Sequence, residues 1–171
     1  MDLESGIAYW LRWPSVEAFL AAYTWAWPLM EILHIAGLVL LVGIVGMFDL
    51  RLMGVAKRLP IAPLRQLLPW AAFGFILCVG SGLVFVTGLM QNVSMHPYVA
   101  IKVDLYLQIK LLFILLAGIN LLVFYQSGMS RAVDGLGAGD DAPPLARAIG
   151  GISLFLWIGV VYWGRLVPWG I

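Results

Sequence analysis

Charged residues are scarce in this sequence, and their scarcity excludes an ordinary soluble domain. Asp, Glu, Lys and Arg make up 11% of the 171 residues, while 63% of the residues are hydrophobic; soluble globular proteins carry about a quarter charged residues. Four runs contain none of these four residues: 32–48, 66–101, 111–130 and 148–164. At ~1.5 Å per helical residue, each run covers most of a ~30 Å hydrocarbon core. The sequence therefore predicts an integral membrane protein, with the lipid bilayer as its surroundings and its main binding partner.

The sequence also has almost no excess of positive charge and only one cysteine. The net charge of +1 argues against nucleic-acid binding, and the eight Trp fit membrane interfaces better than base stacking. Cys78 is the only cysteine, so an intramolecular disulfide is excluded. Asp2 and Glu4 stand where a signal peptide would be positively charged. We therefore expect the first apolar segment to remain as a membrane helix.

The spacing of apolar runs and linkers predicts an all-α fold, an integral membrane four-helix bundle in a single domain over 1–171. The predicted transmembrane helices cover about 28–53, 69–90, 105–125 and 148–168. Segment 1–27 is predicted to be interfacial, with an amphipathic helix over 15–26. Gly74, Ser81 and Gly88 recur every seven residues on the second span, which predicts a packing seam. Residues 126–147, rich in Gly, Asp, Ser and Pro, indicate a mobile loop.

Basic residues are distributed unevenly over the linkers. Six belong to the first and third linkers: Arg51, Lys57, Arg58, Arg65, Arg131 and Arg147. Three belong to the termini and the second linker: Arg12, Lys102 and Arg165. Because Lys and Arg are retained on the cytoplasmic side, this asymmetry predicts that both termini are periplasmic in a bacterial inner membrane. Asp49 and Arg51 are then expected at the inner interface, in contact with each other or with lipid headgroups.

Ionisable residues inside the spans are costly and therefore mark candidate sites. Glu31 and His34 share one face of the first span. Lys110 from the third span, and Arg165 and Tyr162 from the fourth, are predicted to reach the same outer layer. One interpretation is an ion-paired layer, with Glu31 bonded to Lys110 or Arg165 and His34 as a hydrogen-bonded core residue. The other is a haem b site, with His34 as axial ligand and basic residues on the propionates.

The predicted outer loop adds a second histidine and two methionines. His96 is the only other imidazole that could complete the axial pair of a haem. Met90, Met95 and His96 are also ligands suited to copper. Periplasmic copper handling is therefore an alternative function. A third is a non-catalytic structural subunit of a membrane complex, with the polar layer serving assembly.

Five segments resemble a known family in order and spacing. They are WPLMEILHIAGLVLLVG, FDLRLMG, LPWAAFGF, IKLLFILLAGINLLVFY and SLFLWIGVVYWGRL. Together they resemble a family of small bacterial inner-membrane proteins without an assigned activity, over about residues 25–168. The resemblance implies the four-helix architecture and leaves the function to be argued from the residues.

A more distant resemblance concerns His34 and Lys110. A histidine on the first span and a lysine in the first half of the third are similar to the membrane domain of copper-resistance protein D and to HemJ-type protoporphyrinogen oxidase. This resemblance implies haem binding. It does not extend to the oxidase activity, because YLQIK stands where the HemJ-type helix has a Trp–His/Lys run. The predicted function is electron transfer by a haem b protein, with quinone or other redox subunits as partners. Enzymatic activity and homo-oligomerisation are left open.

Overall fold

The computed structural model describes residues 12–88 and 96–170, and these form an all-α bundle without strands. Four long helices make up the bundle, as the sequence predicts. In chain order the helices are α1 (Pro14–Ala22), α2 (Ala26–Met53), α3 (Ile61–Thr87), α4 (Pro97–Val103), α5 (Leu105–Gln126), α6 (Met129–Ala132) and α7 (Pro144–Leu166), and a 3₁₀ turn (Val167–Trp169) follows.

Helices α2, α3, α5 and α7 are long and apolar enough to cross a membrane. Their outward faces carry large apolar side chains; Ile35, Val39 and Phe155 are each at least 60% exposed. Apolar surface of this extent is unfavourable in water and well solvated by lipid tails. The chain is a multi-pass membrane protein.

Three of the predicted spans begin later than the observed helices. The sequence predicts the second span to start at Pro69, because an internal proline loses a backbone hydrogen bond. Instead, α3 begins at Ile61 and continues through Pro69. Buried Ile61 and Leu64 hold its first turns against the bundle, so packing outweighs the local cost of the proline. Likewise α7 begins at Pro144 and α2 at Ala26. The helix expected over 15–26 covers Pro14–Ala22.

The predicted seam on α3 packs inside the bundle. Gly74 and Ser81 are buried and face α2, while a Cβ atom on Gly88 would lie 2.6 Å from Leu20 of α1. The absence of bulk along this line lets the backbones of α2 and α3 approach closely. The seam prediction is confirmed.

The contacts among the four long helices show which of them are neighbours. α2 packs extensively against α3 and α7, and α5 packs extensively against α7, whereas α3 and α5 have at most slight contact. Therefore α2 and α5 stand diagonally across the bundle. The end that carries α1, α4 and the 3₁₀ turn is called the termini end below. The end that carries residues 54–60 and 127–143 is called the linker end.

Arg51 organises the linker end. It is completely buried, and its guanidinium donates to the carbonyl oxygens of Leu59 at 2.5 Å, Gly137 at 2.7 Å and Asp140 at 3.1 Å. Three backbone acceptors from both linkers therefore converge on one side chain. The expected contact of Arg51 with Asp49 is not among the described hydrogen bonds and ion pairs, and the guanidinium is directed into the protein.

The segment 126–147, expected to be a mobile loop, is folded against the bundle. It contains α6, and its Val133 and Ala142 belong to a buried apolar cluster with Phe48 and Phe124. The segment is therefore held in place by a few apolar side chains, which its overall Gly-, Asp-, Ser- and Pro-rich composition does not indicate.

Ion pairs join this segment to the rest of the linker end. Asp141 pairs with Lys57 at 2.5 Å and with Arg147, and Asp134 pairs with Arg65. The hydrogen bond from Lys57, and after it the charges of Arg147 and Lys57, lower the pKa of Asp141. The two linkers thus form one folded cap.

Candidate functional site

His34 is held in one orientation by a hydroxyl on the neighbouring helix. Its Nδ1 atom lies 2.8 Å from the Oγ atom of Ser81. The same hydroxyl lies 2.6 Å from the carbonyl oxygen of Leu77, which can only accept a hydrogen bond. Ser81 therefore donates to Leu77 and accepts from His34, so Nδ1 carries the proton. The imidazole also hydrogen-bonds the backbone of Cys78, and with Nδ1 directed at Ser81 the other nitrogen, Nε2, is the candidate atom to bind a ligand.

The surroundings of His34 are apolar and aromatic. The Phe85 ring lies 5.4 Å from the imidazole, centroid to centroid. The Sγ atom of Cys78 lies 3.5 Å from the backbone oxygen of His34. A Cβ atom added to Gly82 would lie 3.8 Å from the imidazole Cε1, so α3 presents no side chain there that would crowd the ring. His34 itself is half-buried.

Lys110 approaches the same layer from α5. It is half-buried, and its side chain lies over Gly164 of α7, where an added Cβ atom would be 3.2–3.3 Å from the Lys110 side-chain carbons and Nζ atom. The ammonium group is close enough to act electrostatically on His34 and Cys78. Within residues 12–88 and 96–170 no carboxylate pairs with it. Among the described residues this half-buried cation therefore has no counterion, and its charge acts on the imidazole of His34.

Glu31 and Arg165 are not brought into this layer. Glu31 is exposed and accepts a hydrogen bond of 3.0 Å from Nε1 of Trp27. Arg165 is exposed and lies 4.8 Å above the ring of Trp169. The expected pairing of Glu31 with Lys110 or Arg165 does not occur among the described contacts. Tyr162, also expected in this layer, is exposed. Of the five residues expected to converge, His34 and Lys110 are the two that interact, through the charge of Lys110.

His96 caps α4 at the termini end. Its Nδ1 atom accepts a hydrogen bond of 3.2 Å from the backbone N–H of Tyr98, and its Nε2 atom is buried without a partner among the described residues. Met90 and Met95 lie outside the described residues. In the part of the chain that the structure describes, no three His, Cys, Asp or Glu side chains gather as a metal site. No described contact joins His96 to His34, so its role as a second axial ligand stays a prediction.

A cavity toward the linker end was not anticipated from the sequence. It has a volume of about 350 Å³ and is lined by α2, α3, α5 and α7. Most of its wall is apolar; its polar lining residues include Asn120 and Tyr125 of α5, and Asp49, which is hydrogen-bonded to Ser153. The signal in the sequence was Asp49, a single carboxyl group near the end of an apolar run. Such a residue usually lies at the membrane–water interface, so it did not indicate a cavity. Only the packing of four helices around Asp49 reveals the cavity.

Comparison of the chain with family models, with curated proteins and with solved structures finds no match. Function is therefore argued from the geometry of the two sites.

Proposed function

We propose that this protein binds haem b near the termini end, with His34 as an axial ligand, and that it transfers electrons at that face of the membrane. The observation that carries the proposal is the hydrogen bond between His34 and Ser81. Histidine ligands of metals characteristically donate one ring N–H to a second group, which leaves the other nitrogen oriented for the metal. Bound haem would supply one-electron chemistry, and its potential would depend on the axial ligand and the burial of the site.

Lys110 supports the same location from the opposite side of the bundle. A cation in an apolar layer needs an anion or a hydrogen-bond acceptor to offset the loss of water. The propionates of a haem bound between α2 and α5 would provide that anion. We therefore assign Lys110 to a propionate and His34 to the iron. Glu31 and Arg165, which face outward, are not required for the proposal.

The distribution of charge supports an orientation in the membrane. The six basic residues of the first and third linkers all belong to the linker end or to the adjoining helix turns. Because such residues are retained on the cytoplasmic side, we place the linker end in the cytoplasm and both termini in the periplasm of a bacterial inner membrane. The proposed haem then lies near the periplasmic face, where it could exchange electrons with a quinone or another redox subunit.

No structural observation supports copper handling, since Met90 and Met95 lie outside the described residues. The alternative that the chain is a structural subunit without a cofactor is an outcome of the following test.

The test is a reduced-minus-oxidised absorption spectrum of the full chain, produced with ample haem and purified in mild detergent. We expect a Soret band in the parent protein and its loss in His34→Ala. The matched control is Thr87→Ala, whose hydroxyl bonds only to the backbone of α3; His96→Ala is measured beside it, because a changed spectrum there would identify His96 as the second axial ligand. A parent protein without a Soret band would overturn the proposal and favour a structural subunit. Full haem content in His34→Ala would overturn the assignment of the ligand.

A further inference from the structure

The cavity near Asp49 is separate from the layer that contains His34. Leu41 and Val45 of α2 line it, together with Phe75 of α3 and Trp157 of α7, and neither His34 nor Lys110 is among its wall residues. Along α2, Asp49 is fifteen residues beyond His34, which corresponds to roughly 22 Å at the helical rise. A ligand in this cavity would therefore occupy a different depth of the bundle.

Asp49 is the polar group that requires an explanation. The residue is 4% exposed, and its Oδ2 atom is buried without a hydrogen-bond partner among the described residues. The Ser153 hydroxyl lies beside the carboxyl group. Buried polar atoms in folded proteins nearly always have a partner, because an unsatisfied one costs about 1–3 kcal/mol. Asp49 is one of the residues that line the cavity, so a molecule bound there is a candidate for the missing partner.

The remaining wall restricts which molecules fit. Phe48, Phe75, Phe124 and Trp157 surround the space with aromatic surface, and few of the lining residues are polar. A volume of about 350 Å³ is at the lower end of the usual range for small-molecule sites. This combination suits a single ring that carries a hydrogen-bonding oxygen.

Access to the cavity is from the lipid. Helices α3 and α5 have at most slight contact with each other, and the wall residues at their facing edges are exposed: Ala72 on α3, and Gly118, Leu121 and Tyr125 on α5. A molecule dissolved in the bilayer could enter through this gap, with any long apolar tail remaining among the lipid tails.

We propose that this cavity binds the ring of a lipid-soluble quinone or quinol, with Asp49 as its hydrogen-bonding partner. A carboxyl group can donate to a quinone carbonyl when protonated and can accept from a quinol hydroxyl when ionised. Asp49 therefore suits both redox forms of the ring. The proposal concerns binding alone and holds whether or not His34 binds haem.

The experiment is photolabelling of the purified full chain with an aryl-azide derivative of decylubiquinone, followed by mass spectrometry. We expect labels on cavity-lining parts of α3 and α5, and protection by excess unmodified decylubiquinone. Gly118→Leu should reduce the labelling at least tenfold, because Gly118 lines the cavity and an added Cβ meets no atom within 4 Å. Gly80→Leu is the matched control: its Cβ also meets no atom within 4 Å, and Gly80 is exposed outside the cavity.

Substitution of Asp49 tests the polar contact. Asp49→Leu should weaken protection by decylubiquinone about tenfold, the effect of losing one hydrogen bond in an apolar site. Asp49→Asn should keep most of the protection, because an amide also donates and accepts. His34→Ala should label like the parent, which separates this proposal from haem binding.

Three results would overturn the proposal. Equal labelling of Gly118→Leu and Gly80→Leu would place the ring outside the cavity. Protection by tetraphenylphosphonium but not by decylubiquinone would indicate a site for apolar cations. Labelling that excess decylubiquinone does not reduce would mean that the probe attaches without a site.

Discussion

Gly37 and Gly74 face each other across the interface of α2 and α3, and a Cβ atom on either would lie 2.7 Å from the carbonyl oxygen of the other. The two backbones are therefore in direct contact, with no space for a side chain. Interfaces of this kind hold membrane helices together by van der Waals packing, since lipid tails provide little hydrophobic drive between helices.

We expect Gly74→Leu to separate α2 from α3 and to destabilise the bundle by at least the roughly 1–3 kcal/mol typical of overpacking. Thermal unfolding in detergent measures the effect. Gly80→Leu is the control, because an added Cβ atom there meets no atom within 4 Å and Gly80 is exposed on the same helix. Equal unfolding temperatures for the two variants would show that the seam does not carry the packing.

Ser81→Ala should weaken haem binding while the bundle stays folded. The alanine cannot accept the Nδ1–H of His34, so the imidazole loses its fixed orientation, and groups in this position commonly contribute 10–100-fold to metal affinity. Titration of the haem-free protein with haem measures the change. Thr87→Ala is the control, since the Thr87 hydroxyl also bonds to the backbone of α3, at 2.9 Å from the Leu83 oxygen, and has no contact with His34. Equal haem affinity for both variants would show that Ser81 does not orient His34 for haem binding.

Lys110→Leu should lower the haem content without changing the absorption maxima of the haem that remains. A lost propionate contact weakens binding, whereas the iron keeps His34. Lys102→Leu, on the exposed face of α4, should bind haem like the parent. A shifted Soret maximum in Lys110→Leu would instead indicate that the Lys110 amine coordinates the iron.

Arg51→Leu should unfold the cap at the linker end. Arg51→Leu removes three hydrogen bonds that join the two linkers, each contributing roughly 0.5–1.5 kcal/mol, and a lysine cannot reproduce the planar fork of the guanidinium. We therefore expect both Arg51→Leu and Arg51→Lys to become sensitive to trypsin within 127–147, while Arg58→Leu, at an exposed position, stays resistant. Resistance of all three variants would show that the cap does not depend on Arg51.

The orientation in the membrane is tested by cysteine labelling in a Cys78→Ser background. Arg58→Cys at the linker end should react with a membrane-impermeant maleimide only after the cells are permeabilised. Lys102→Cys at the termini end should react in intact cells. The reverse pattern would invert the topology and place the proposed haem at the cytoplasmic face.

The four spans and the uneven distribution of basic residues followed from the sequence by itself. Both are local properties: a run of about twenty apolar residues favours a helix in lipid, because a helix satisfies its backbone hydrogen bonds within the segment itself. The repeat of Gly74, Ser81 and Gly88 was equally informative, since small residues at a constant helical spacing lie on one face.

The partners of the polar residues were decided only by the tertiary structure. His34 bonds to Ser81, forty-seven positions away, and Arg51 bonds to carbonyls of a segment whose composition indicated mobility. The rotation and crossing of the helices determine such contacts, and both depend on the whole interface. The same holds for the cavity at Asp49, which exists because α3 and α5 stay apart while α2 and α7 close the other sides. Hydropathy can predict that a helix crosses the membrane, but which side chains meet inside the bundle depends on packing between segments distant in sequence.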